Sequence, residues 1–307
     1  MKNKIFIRSL FVTILAFVLY TSNMHRVENS ELKVVEPKTS QKQKKAPIKE
    51  PQAPKITSTE YATNVTVEKG SQKKLAKKIQ SVMGKDNTYQ VAFQDLNNSS
   101  KYVRLGNSKR VQNANGTMKL YLLLALYKKA QSGKIGRKTA IKIKKSDLVK
   151  GEQMLQLNMA YGIAYLRQAM MRGNKTAANA LLRKVGKKYV NQVAHEFGAD
   201  QTEIVGKFSS DPVGHTTAND LDATLKGLYQ GRVLKRQHAY TVLGTMHGQK
   251  NKLTSKISGT SYGIGDDNSA FAIVQNRGHS YCMSVWCNTD KNFAKLGKTI
   301  ETWVNKH

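Results

Sequence analysis

Strand patterns near both ends of the chain enclose a long helical middle, and this arrangement restricts the architecture more than any other feature. Thr88 to Leu96 alternates, with Tyr89, Val91 and Phe93 on one side, and Lys101 to Leu105 reads as its hairpin partner across Asn97-Asn98-Ser99-Ser100. Far down the chain, Ser269 to Gln275 and Tyr281 to Cys287 form a second pair around Asn276-Arg277-Gly278. Between them lie an apolar helical run from Thr117 to Gln131 closed by Ser132-Gly133, further helical patterns from Glu152 to Phe197, and one at Ala218 to Tyr229. A helix from Ser71 to Met83, with Leu75, Ile79 and Val82 on one face, precedes the first strands, and another from Lys291 to Val304 follows the last. Strand pairs at both ends of a helical middle require the ends to meet in one sheet. The expected class is therefore α+β: an antiparallel sheet from both chain ends with an all-helical subdomain between.

The beginning of the chain obeys other rules. Met1-Lys2-Asn3-Lys4 and an apolar stretch from Ile5 to Tyr20, interrupted by Arg8, have the layout of an export signal. No small-x-small cleavage site follows Tyr20 and no cysteine is placed to carry a lipid, so residues 1–24 are expected to be an uncleaved membrane anchor with the bulk of the chain outside, the alternative being a secreted chain if the signal is cleaved. Residues 25–70 are rich in Lys, Gln, Glu, Ser, Thr and Pro, a composition that cannot bury enough apolar surface to offset its ordering entropy. They predict a basic, disordered linker, able to hold a domain about 40 Å from its anchor. The folded domain is expected over residues 71–307.

Lys and Arg number 51 against 20 Asp and Glu, a formal charge of +31 that draws polyanions whatever the fold beneath it. Runs such as Lys142-Ile143-Lys144-Lys145 and Arg183-Lys184-Val185-Gly186-Lys187-Lys188 add local density. Zinc-finger spacing, ribonucleoprotein motifs and basic regions feeding heptads are absent, which argues against nucleic acid as the partner. The seven histidines lack the paired spacings of a metal site, and neither metal nor cofactor is expected. Cys282 and Cys287 are five apart in a strand pattern, so they fall on opposite faces as two buried thiols and do not bridge each other.

Four short stretches stand out. Val91 to Leu96 leads to Asn115-Gly116-Thr117-Met118-Lys119 at the start of the apolar helix. Met170 to Leu182 contains Gly173-Asn174-Lys175 before Thr176-Ala177-Ala178-Asn179. His215-Thr216-Thr217-Ala218-Asn219-Asp220 opens another helix, with Thr217 as cap and Asp220 three residues on. Ser255-Lys256-Ile257-Ser258-Gly259-Thr260 precedes Tyr262-Gly263-Ile264-Gly265.

In order and pattern, these stretches resemble the class A β-lactamases and penicillin-binding transpeptidases, serine hydrolases that carry Ser-x-x-Lys at the start of a buried helix. One helical turn there sets the lysine beside the serine, and the helix start supplies backbone donors for the developing oxyanion. On that resemblance Lys119 stands at the lysine position, but the serine position is Gly116. Thr117 is the nearest hydroxyl, turned about 100° around the helix from that line. The family's Ser-Asp-Asn becomes Gly173-Asn174-Lys175, with Asn174 able to serve as the asparagine after a one-residue shift and Asn179 expected to be structural. The family's edge-strand Lys-Thr/Ser-Gly corresponds to Lys256, Ser258 and Gly259 with Ile257 inserted, and strand alternation puts Lys256 and Ser258 on one face. For the glutamate that activates the deacylating water, Asp211 is the best acidic substitute in the short loop from Gln201 to Gly214, with Glu203 the other candidate.

The resemblance with these losses implies a catalytically inactive domain tethered outside the membrane. Its expected partner is an anionic cell-wall polymer or peptidoglycan, with Lys119, Asn174, Lys256, Ser258 and Gly259 as ligand-binding residues. The alternative is an active β-lactamase or D-alanyl-D-alanine peptidase-like hydrolase using another hydroxyl, Thr117 or Ser258.

Overall fold

A computed structural model describes residues 64–136 and 138–307, and the expected anchor and most of the expected linker lie outside them. Eleven strands and eight helices are present among the described residues. Six strands form one antiparallel sheet: β1 (Thr66–Val67), β2 (Tyr89–Asp95), β3 (Tyr102–Gly106), β9 (Thr260–Gly265), β10 (Ser269–Asn276) and β11 (His279–Cys287), in the order β1-β3-β2-β11-β10-β9. The chain's two ends meet between β2 and β11, where Val91 faces Val285 and Phe93 faces Met283. Regular structure begins slightly before Ser71, because Thr66 and Val67 pair with Gly106 and Leu105 at the sheet edge.

The sheet is buried on both faces, and its alternation assigns each residue to one of two cores. On one side, Tyr89, Val91 and Phe93 of β2 and Met283 and Val285 of β11 pack with helix α1 (Lys73–Met83) and the closing helix α8 (Phe293–Val304). Phe93 meets the Trp303 ring edge-on at 5.7 Å. On the other side, Phe271 and Ile273 of β10 and Cys282 of β11 pack against the helical subdomain. Cys282 and Cys287 are both buried and free, in opposite cores. The strand parity that separates them also rules out a bond between them.

At the centre of the second core is α2 (Lys119–Gln131), whose residues from Leu120 to Leu126 are all buried. An amphipathic stripe would expose half of such a helix. The uninterrupted Leu-Tyr-Leu-Leu-Leu-Ala-Leu run suits one enclosed on all sides. Around it stand α3 (Ile163–Met171), α4 (Lys175–Val185), α5 (Lys187–Glu196), α6 (Ala218–Tyr229) and α7 (Arg236–Met246). Thr217 caps α6 by accepting from the Asp220 N–H at 3.0 Å, and the Asp220 carboxylate in turn accepts from Gln201 N and Thr202 Oγ1.

The helical pattern expected from Glu152 does not hold at its start. Residues 160–162 form strand β6, paired with β5 (Ala140–Lys142), and helix begins only at Ile163. Met154, Leu157 and Met159 are 51%, 45% and 52% exposed. Their spacing imitates a helix face, but they have no core to meet.

One buried charge sets a pH dependence. Asp222 of α6 is fully enclosed, accepts from Cys282 Sγ at 3.2 Å, and has Arg104 Nη2 3.9 Å from its other oxygen. Burial raises its pKa to about 6 against the pull of Cys282 and Arg104. The folded chain therefore binds this proton more tightly than the unfolded one, and stability falls as pH rises from the ordinary carboxylate range through about 6. We expect Asp222→Asn to gain up to about 3 kcal/mol over the parent at pH 8 and nothing at pH 4. Urea denaturation across that range checks it, and a pH-independent difference would contradict it.

Candidate functional site

The three 3₁₀ residues Gly116–Met118 deliver the chain into α2, so Gly116 and Lys119 sit one turn apart at the mouth of the helical subdomain. Facing them is the turn between α3 and α4, where Gly173 adopts φ +99°, a left-handed conformation that glycine takes without the steric cost of a Cβ. The loop from Phe208 to Val213 closes the third side. Together these elements bound a cleft of about 260 Å³ lined by Asn115, Gly116, Lys119, Gly173, Asn174, Lys175 and Asp211. Six positions chosen from the sequence (Gly116, Lys119, Gly173, Asn174, Lys175 and Asp211) thus converge on one cavity.

The cleft carries two lysines. Lys119 has no hydrogen-bond acceptor among the described residues, and its pKa is held below the usual lysine range by burial and by the neighbouring charge of Lys175, with Asp266 pulling the other way. Lys175 is exposed. Asn174 caps α4, its Oδ1 accepting from Ala177 N at 2.7 Å, which leaves its amide N–H₂ for a ligand. Asn115 donates from Nδ2 to Asp211 Oδ1 at 3.3 Å and accepts from Val213 N, which ties the loop to the helix entrance.

Two carboxylates that were not singled out in the sequence occupy the backbone donors of this cleft. Gly116 N donates to Asp266 Oδ2 at 2.7 Å, while Asp266 Oδ1 accepts from Asn268 N, Ser269 N and Ser269 Oγ. Glu152 accepts from Lys175 N and Thr176 N at 2.7 and 2.8 Å, at the start of α4. One backbone donor at the helix entrance, Gly116 N, is thus already engaged by the protein's own carboxylate. A Cβ added at Gly116 would lie 3.1 Å from Asp266 Oδ2 and 3.2 Å from its Cβ, so the glycine leaves the room that this carboxylate uses. The available signal was the pair Asp266-Asp267 in a chain with few acids, placed at the turn between two strands.

Other expectations fall outside the cleft. Thr117 is fully buried and its hydroxyl shares a 2.9 Å hydrogen bond with Ser269 Oγ, so it is closed to any ligand. Lys256, Ser258 and Gly259 are not on the edge strand at all. They precede β9, where Ser258 N donates to Glu301 Oε1 of α8 at 2.6 Å. Along a strand that rises about 3.3 Å per residue, they lie on the order of 20 Å from Asp266, at the far end of the sheet. The physical cause is the Lys252–Thr254 3₁₀ turn, which carries this segment along α8 before the chain enters the sheet. β9 itself contains no lysine. Glu203, at the start of β7 (Glu203–Ile204), is exposed and paired across to His215 of β8 (Gly214–Thr216). Asn179 donates to Asp147 O and accepts from Phe208 N at 2.8 Å, the structural role its sequence position suggested.

Comparisons with solved structures return the same architecture. PBP-A superposes with a TM-score of 0.70 at 16% identity over 77% of this chain and 98% of that one, and a point mutant of PBP-A, seen as an acyl-enzyme complex with penicillin G, gives the same score at 17% identity. The TLA-3 extended-spectrum β-lactamase gives 0.67 at 16% identity over 76% and 98%. A β-lactamase from Sphaerobacter thermophilus gives 0.66 at 15% over 76% and 97%. At these identities the likeness establishes the fold. Among curated proteins none matches in sequence. A family model described as the β-lactamase enzyme family matches residues 74–303, which include both faces of the sheet and every wall of the cleft, and the chain belongs to that family.

Proposed function

We propose that this protein is a non-acylating member of the β-lactamase family that holds an anionic envelope polymer, a phosphate-rich chain or peptidoglycan, outside a membrane to which its N-terminal segment tethers it. The observation that carries this reading is Gly116 at the entrance of the buried helix, with its N–H given to Asp266. A family acyl transfer needs a nucleophile and a free oxyanion donor at this place, and both are spent. The binding part rests on Lys119 and Lys175 in the cleft and on a net charge of +31. No helix among the described residues is long and apolar enough to cross a membrane. The tether is read from residues 1–24 alone.

Intact-mass spectrometry of the chain after incubation with a penicillin, beside a chromogenic cephalosporin assay, tests the first half. The expected result is an unchanged mass and no turnover. An adduct on any hydroxyl, including Ser209 or Ser210 in the cleft wall, overturns it and revives a hydrolase with an unusual nucleophile. The second half predicts retention on an immobilised poly(glycerol phosphate) that weakens as ionic strength rises past about 0.1 M, where the Debye length falls to about 10 Å. A chain that flows through at low salt would not be a polymer binder.

A further inference from the structure

Beside the cleft, helices α3 and α7 leave an open groove of about 700 Å³. One wall is Tyr165, Arg167, Gln168 and Arg172, the other is Thr245 and His247, and no Asp or Glu is among the lining residues. Tyr165 is 46% exposed and stacked on Tyr161, with ring centroids 5.5 Å apart and planes 17° from parallel. That stack fixes an aromatic face toward solvent at little entropic cost. Arg167 lies over the Tyr127 ring, 5.9 Å from its centroid, and donates to the Tyr127 hydroxyl, so this guanidinium is held in place. The Arg172 side chain is exposed and has no acceptor among the described residues. The groove's end is also the cleft's rim, since Met171 and Arg172 line the groove and the next three residues line the cleft.

An aromatic face, amide and hydroxyl side chains and two guanidiniums along an open channel suit a strand with flat rings, hydroxyls and regularly spaced anions. A buried small molecule would call for an apolar, enclosed site instead. We propose that the groove between α3 and α7 binds an anionic polysaccharide strand, with a sugar ring against Tyr165 and acidic groups on Arg172 and Arg167. Charge complementarity selects the anion, because planar guanidiniums pair carboxylates and phosphates in two-pronged contacts. The rigid ring selects the saccharide, because it offers a stacking area that a flexible acidic peptide uses poorly. This deepens the polymer-binding half of the proposed function and is independent of the loss of acylation.

The test measures binding of a galacturonic acid octasaccharide to the full chain at about 0.15 M salt, where bulk charge acts over roughly 8 Å. Neutral malto-octaose and poly-L-glutamate are the comparison probes. Tyr165→Ala and Arg172→Glu are each expected to weaken octasaccharide binding about tenfold or more, a loss in the range of one stacking or charge-assisted contact. Lys145→Glu changes net charge as much as Arg172→Glu but sits on an exposed face outside the groove, and should cost less than about twofold. Thermal melts confirm that the three surface variants fold. Equal losses from Lys145→Glu and Arg172→Glu would reduce the site to bulk charge and overturn the proposal. Poly-L-glutamate binding as tightly, and as sensitive to Tyr165→Ala, would overturn the saccharide assignment. Failure of the groove variants to matter while the chain still binds octasaccharide would sink this inference alone, whereas no binding of any anion would sink the polymer reading with it.

Discussion

Gly116→Ser alone should leave the protein unreactive toward penicillin, whereas Gly116→Ser together with Asp266→Gly should take up one penicillin in a covalent adduct on the introduced serine. The single variant fails for two reasons visible at the helix entrance. Its new Cβ would stand 3.1 and 3.2 Å from Asp266 Oδ2 and Cβ, and the Gly116 N–H already donates to that carboxylate. A negative charge there also opposes the oxyanion that acylation must build. Replacing Asp266 with alanine would leave the crowding Cβ in place, so glycine is the informative choice. The double variant places a hydroxyl one helical turn from Lys119, whose burial favours the neutral amine that can accept the proton. Acylation should nonetheless be slow, because the freed N–H and the introduced hydroxyl restore only part of what acyl transfer requires. Gly173 also supplies no relay hydroxyl. Mass spectrometry after hours of incubation reads the outcome. An adduct on Gly116→Ser alone would show that Asp266 blocks nothing, and no adduct on a folded double variant would place the block elsewhere.

This pair also shows what the sequence could reveal about the site. Gly116, Lys119, Gly173, Asn174 and Lys175 were legible because helix starts and the turns before them fix spacing locally: one turn sets Gly116 against Lys119 in any fold that keeps the helix. Asp266 was legible only as half of an acidic pair at a turn between strands, since its partner lies 150 residues away and nothing local shows which N–H the carboxylate binds. Lys256, Ser258 and Gly259 were misplaced for a related reason. Residue types matched in order, but the start of a strand depends on tertiary pairing, and here the ladder with β10 runs from Thr260 to Gly265. The sheet was read well because alternation over Tyr89, Val91 and Phe93, and over Phe271 and Ile273, survives in the two separate cores. The segment from Met154 to Met159 was read badly because exposed apolar side chains imitate a periodicity that only burial gives meaning.

Arg183→Met should cost about 1–3 kcal/mol at neutral pH, less than for a fully buried pair because the Arg183 side chain is 31% exposed and solvent screens the orphaned carboxylate. Asp147 is 1% exposed and accepts from Arg183 Nε and Nη2 at 2.8 and 2.7 Å and from Lys144 N at 2.9 Å. Burial pushes its carboxyl up, but the Arg183 fork, the Lys144 N–H and nearby positive charge outweigh it and hold the group below the usual carboxylate range. A depressed folded pKa contributes stability above the unfolded value, lost as pH falls through the folded one. The penalty of Arg183→Met should therefore shrink below the ordinary carboxylate pKa of about 4, where the orphaned carboxylate takes up a proton. Arg183→Lys should recover only part of the loss, because an ammonium cannot present the two-pronged donor. Arg183→Met with Asp147→Leu should recover most of it, since no buried charge is then left unpaired. The site should respond as well. Asp147 O accepts from Asn179, and Asn179 accepts from Phe208 N in the cleft wall, so the fork anchors the loop that closes the cleft over Lys119. Denaturation at pH 7 and pH 3 measures the stability terms, and a penalty of equal size at both would show that Arg183 acts by packing and not by charge.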